Sequence, residues 1–149
     1  MANPASWSRV TRMDVGVSQK ETIFNSGIDV FDAMGNGQVA ISMSDANFTL
    51  SENQQSNKVL QFNGTLTAGR TVFIRVSTDG VVNARPNGWM FFNNTAQTLT
   101  FKLATVSGST PTGFGTGATL ATGKKAIFGH TNPAGAGASG DIFKWTSEV

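Results

Sequence analysis

Gly135-Ala136-Gly137-Ala138-Ser139-Gly140 has the spacing of a dinucleotide fingerprint. In that motif the glycines bring backbone close to a pyrophosphate held at a helix N-terminus. The chemistry needs a strand before the glycines and a helix after them. Here only nine residues follow Gly140, and they read as a strand. The stretch from Gly117 to Lys125 resembles a phosphate loop with one residue too many between its glycines. It also puts Lys125 where a hydroxyl residue should hold magnesium. Both matches are read as chance.

Other reactive groups are scarce. The chain has no cysteine and one histidine, His130, which excludes disulfides, thiolate sites and any site needing two imidazoles. A hydrolytic triad would need His130 beside a serine in a Gly-x-Ser-x-Gly turn, and no such turn occurs. His130 is read as a loop residue near a strand end. Asp29 and Asp32 precede Gly35-Asn36-Gly37, but the alternating oxygens and closing glutamate of a hand-type calcium loop are missing. Asn47, Asn63 and Asn93 match the glycosylation pattern, which means little where no apolar leader is seen at residues 1–9. The expectation is a protein that is not an enzyme and takes no metal or cofactor.

Aromatic residues are the remaining candidates. Trp89, Phe91 and Phe92 form a run apolar on both faces of a strand, as a central or interface strand would be. They are read as core or subunit-interface residues, with a sugar-binding platform as the alternative. Near the start, Trp7, Arg9, Val10 and Arg12 mix apolar with cationic groups. Such a segment suits docking of an aromatic anchor while arginines pair with carboxylates on a partner; an ordinary first strand with a frayed tip is the other reading.

The elements that must position these groups are strands. Charged residues are 13% of the chain, well below the usual ~25%, while Gly is 17 and hydrophobics reach 39%. That composition suits short strands joined by tight turns, and it does not suit a disordered chain. The net charge of +2 hides an uneven split. Residues 1–69 carry four Lys/Arg against six Asp/Glu, and residues 70–149 carry seven against three. The later cations are scattered and not in a stripe, so no nucleic-acid surface is expected. No apolar run is long enough for a membrane helix.

Alternation marks strands at 58–62, 71–76, 89–92, 99–103, 125–128 and 142–145. Leu60 and Phe62 share one face, and so do Val72, Ile74 and Val76. Asn36-Gly37, Asn63-Gly64, Asp79-Gly80 and Asn87-Gly88 are read as two-residue hairpin turns. The single helical signal is a turn at 51–55 capped by Ser51. The expected fold is therefore all-β: an antiparallel β-sandwich or jelly-roll-like domain with an extended N-terminal arm. Residues 1–47 are assigned to that arm and the first strands, and residues 48–149 to the sandwich module, with no internal repeat.

The run from Leu50 to Val72, with its Gly64-Thr65-Leu66-Thr67 corner and Arg70-Thr71-Val72 strand, resembles a module of tailed-bacteriophage fibres and related virion proteins. Phe91 to Lys102 resembles that family's Asn-x-Thr…Leu-Thr-Val-Lys hairpin, and Ala118 to Phe128 resembles its following strand pair. The likeness covers about residues 48–145, departing at 80–90 and 131–140.

The resemblance implies a homotrimer without enzymatic activity, located in the virion. Two roles follow from it. One is a capsid decoration, or cement, protein bound to the major capsid protein. The other is a tail-fibre or receptor-binding component joined to tail proteins and contacting host glycans. A chain of 149 residues with its own N-terminal arm and no long shaft favours decoration.

Overall fold

Leu60, Phe62, Val72, Ile74, Trp89, Phe91, Leu99, Phe101, Leu103 and Phe128 are all completely buried, so the predicted alternation places side chains as expected. The computed structural model describes residues 35, 37–76, 88–131 and 140–149. Trp7, Arg9, Val10, Arg12, Asp29 and Asp32 lie outside them.

Among the described residues the strands are β1 (Gln38–Ser42), β2 (Phe48–Thr49), β3 (Val59–Gly64), β4 (Arg70–Val76) and β5 (Trp89–Thr95). They continue with β6 (Leu99–Ser107), β7 (Thr110–Leu120), β8 (Lys125–His130) and β9 (Ile142–Lys144). One short helix, α1 (Glu52–Gln55), sits between β2 and β3. The strands form a five-stranded sheet in the order β1-β3-β5-β8-β9 and a four-stranded sheet in the order β2-β4-β6-β7. Neither closes into a barrel. Because β1 pairs with β3, the described end of the 1–47 segment is built into the same body as the rest.

The antiparallel pairing expected from the sequence is corrected here, because both sheets are mixed. β1, β3 and β5 run parallel to one another, as do β2, β4 and β6. Antiparallel pairs appear only where β7, β8 and β9 join. The cause is the path of the chain. From β1 to β6 it changes sheet after every strand, so each return to a sheet comes from the other layer with the same direction. Three successive windings result, a repetition that leaves no readable repeat in sequence.

The corners of those windings explain Asn63-Gly64, which is not a hairpin. Gly64 has φ +146°, and a Cβ there would run into the Met43 carbonyl of the winding before. Glycine lets the two corners nest closely. The tight hairpin of the described chain is instead β6–β7, turning at Gly108 (φ +60°) and Ser109, with Ser107 opposite Thr110. α1 carries the predicted Ser51 cap: Gln54 N–H donates to Ser51 Oγ, and Ser51 N–H donates to Gln54 Oε1.

Inner side chains of both sheets meet in one core. Phe101 of the four-stranded sheet lies 4.4 Å from Phe91, 5.1 Å from Phe128 and 5.3 Å from Phe62, all from the five-stranded sheet. These separations are in the range where aromatic pairs add to plain burial. At one side the layers are tied by Asp141, just before β9. Its carboxylate accepts from the backbone N–H of Thr116 (2.9 Å) and Gly117 (2.7 Å) on β7.

Candidate docking face

The outer face of the five-stranded sheet is built by the residues that alternate with the core. In register, Val59, Met90 and Ile127 form one outward row, and Gln61, Phe92 and Lys125 form the next. A third row is polar: Asn94 Nδ2 donates to Asn63 Oδ1 (2.9 Å), which also accepts from Gln61 Nε2 (3.2 Å). The face thus grades from apolar at one end to a ladder of amides at the other.

The chain after β9 completes the apolar end. Trp145 N–H donates to the Ile127 carbonyl (2.8 Å), and Val149 exchanges both backbone bonds with Lys125 (3.0 Å each). Residues 146–148 therefore stand opposite Ala126 alone, a bulge that takes the chain out of the ladder. Thr146 Oγ1 accepts from Ile127 N–H (3.0 Å) in place of a carbonyl. The bulge leaves a groove of about 290 Å³ lined by Met90, Lys125, Ala126, Ile127, Thr146 and Val149.

Beside the groove, Trp145 lies flat on backbone. A Cβ added to Gly129 would meet indole Cε2 at 2.6 Å, with Cζ2 at 2.8 Å and Nε1 at 2.9 Å. The inner atom is nearest, as for approach onto the ring face; an in-plane approach would reach the outer two first. Gly88 supports the far end of the ring, where an added Cβ would lie 3.2 Å from Cζ3. The Phe143 ring lies 5.9 Å away, centroid to centroid, and Trp145 is 58% exposed. Met90 (39%) and Val149 (69%) are the other large hydrophobics exposed among the described residues. All three belong to this one surface.

The candidates from sequence divide accordingly. Trp89 and Phe91 are completely buried inside the chain's own core and offer nothing to a second subunit, whereas Phe92 faces outward and is half-buried. Trp89 Nε1–H donates to the Gln55 carbonyl (2.8 Å). His130 ends strand β8 and is not in a loop, its ring 5.6 Å from that of Trp89. Asn93 is a buried structural amide, donating to the carbonyls of Gln97 (2.8 Å) and Leu120 (2.9 Å). Asn47 Oδ1 accepts from Thr71 N–H (2.9 Å) at a corner. Lys124 lies in the turn between β7 and β8, so the phosphate-loop pattern sits on strand–turn–strand.

Trp145 was legible only as the end of a strand pattern; the glycines that floor it, 57 and 16 residues earlier, carry no signal pointing to it. Among the described residues no group of three or more His, Cys, Asp or Glu is placed to hold a metal. No described helix is long and apolar enough to cross a membrane. No family model, curated protein or solved structure matches the chain.

Proposed function

We propose that this chain is a non-enzymatic structural protein of a tailed-phage particle: a homotrimeric decoration protein, built as a β-sandwich, that binds the major capsid protein and stabilises the head. The observation that carries the reading is the docking face. A body with an aromatic core and well-laced corners has no folding need for Met90, Trp145 and Val149 on one surface, and patches of that kind mark contacts between proteins. The resemblance of residues 48–145 to phage virion modules supplies the setting.

The test is location and copy number. Hundreds of copies on purified heads support decoration; a few tens or fewer, on tails, support the fibre reading. Light scattering should return a trimer at micromolar concentration, and a stable monomer counts against that part. Deleting residues 1–12, with Trp7, Arg9, Val10 and Arg12, should keep the trimer and abolish head binding. The fibre alternative has one observation in its favour. An indole laid against backbone and still 58% exposed is suited to stacking a host sugar ring.

A further inference from the structure

We infer that the groove beside Trp145 receives an apolar side chain of a different protein whose neighbouring residues are carboxylates. The inference rests on the reading of the chain as an assembling structural protein, and it names the chemistry of the partner at that face.

Charge selects the partner. Lys125 lines the groove and Lys124 precedes it; both are exposed, and among the described residues neither has a carboxylate within ion-pair distance. Each of the four described acidic side chains is already engaged. Asp45 takes Arg70, Asp141 takes the backbone of Thr116 and Gly117, Glu148 takes Lys144 (2.6 Å), and Glu52 is not free. Among the described residues, then, no acidic side chain is left without a partner of its own to serve the two lysines. Pairing this face with itself would set lysine against lysine. A different chain carrying Asp or Glu beside its anchor satisfies both the groove and the rim.

The shape agrees with one anchor and not with a flat contact. About 290 Å³ accommodates a single large side chain, with Met90 and Ile127 as floor and the 146–148 bulge as wall. An apolar anchor in a desolvated pocket, ringed by charge pairs, is how a small contact gains most of its affinity.

The experiment selects a random-peptide library on the intact chain, with binding of the recovered peptides followed by Trp145 fluorescence. Expected sequences join a large apolar residue to Asp or Glu. Met90→Asp, an exposed site whose folding is checked by thermal unfolding, should weaken them about tenfold or more. The double variant Lys124→Glu/Lys125→Glu should reverse the preference, so that selection returns Lys and Arg beside the anchor. Recovery of peptides without acidic bias, or no change of preference on charge reversal, overturns the inference. So does a response of Trp145 to neutral hexoses with no selected peptide, which would make the face a sugar platform. A protein that decorates heads yet fails these arms loses the inference and keeps the decoration reading; one absent from heads that still selects acidic peptides does the reverse.

Discussion

Gln55 meets the backbone of Arg75 twice: its Nε2 donates to the Arg75 carbonyl (3.0 Å) and its Oε1 accepts from the Arg75 N–H (3.0 Å). A side-chain amide presents a donor and an acceptor side by side, so it substitutes for a missing strand partner near the end of β4. Gln55 is fully buried, and its own carbonyl accepts the Trp89 indole N–H. Replacing Gln55 with Leu strands two backbone groups at once. The expected loss is about 2–4 kcal/mol, read by urea unfolding. Gln55→Glu should also destabilise, because a carboxylate oxygen would then face the Arg75 carbonyl. A Leu variant as stable as the parent would show that the paired bonds contribute nothing net.

Phe91 makes the shortest of the ring contacts between the two layers, stacked 4.4 Å from Phe101, and lies tilted 4.8 Å from Phe128 in its own sheet. Phe91→Ala should cost about 3–5 kcal/mol, since the surrounding rings relax only partly into the vacated space. Phe92→Ala, one residue on and facing outward, should cost far less. Equal losses at the two sites would contradict the assignment of their faces.

Asp45 joins the first corner to the second. Its carboxylate takes the Thr67 hydroxyl, the Arg70 guanidinium and the Thr67 N–H, and these lower its pKa from 3.8 to about 2. The fold therefore favours the ionised form. Stability from this group is fully present above 3.8 and is lost as pH falls towards about 2. Asp45→Asn should flatten that part of the stability profile. Asp141 acts in the same direction: burial raises its pKa, but the N–H groups of Gly117, Thr116 and Ile142 outweigh this and lower it. The double variant should therefore be flatter than either single one.

Gly129→Ala would put a methyl group 2.6 Å from indole Cε2 of Trp145. Trp145 is exposed, so the ring can swing away at little cost to the fold. The expected result is a near-parental melting temperature with a changed fluorescence maximum and quenching. A large fall in melting temperature would mean that Trp145 is held as core.

Thermal unfolding with and without a strong chelator should coincide, because one histidine and no cysteine offer few ligands. A fall of several degrees would revive calcium binding at Asp29 and Asp32.

Where side chains point was legible in the sequence; where the chain goes next was not. Leu60/Phe62 and Val72/Ile74/Val76 declare their faces by a period of two, which any half-buried strand shows. The same period is silent on which strand lies beside which. Asn63-Gly64 reads as a hairpin because its φ tolerance fits one, yet a nested corner needs the same tolerance. β7 was missed over Thr110–Leu120 because its glycines break the alternation, and they do so for local reasons. Gly113 leaves room for the Phe73 ring, and Gly117 takes φ +79° where the Asp141 carboxylate collects N–H groups. On the outer face of the five-stranded sheet, Met90 and Phe92 were legible as the outer side of an apolar strand. The groove was not, since it depends on three residues bulging opposite Ala126.

The alternating path of the chain also bears on how quickly this protein reaches its native state. Parallel partners are far apart in sequence, from Gln38 to Val59 and Val59 to Met90 in one sheet, and from Arg70 to Leu99 in the other. No two parallel neighbours meet until the strand between them has crossed to the opposite layer. Forming the parallel pairs of either sheet therefore means closing long loops first. Loop closure is then paid before most of the reward arrives, which is the condition for slow collapse into order. The exceptions are the consecutive pairs β8–β9 and β6–β7, and the β6–β7 hairpin at Gly108-Ser109 has the tighter turn. Ordering should begin there, with Phe101 already in place to receive Phe91 when the windings are drawn in.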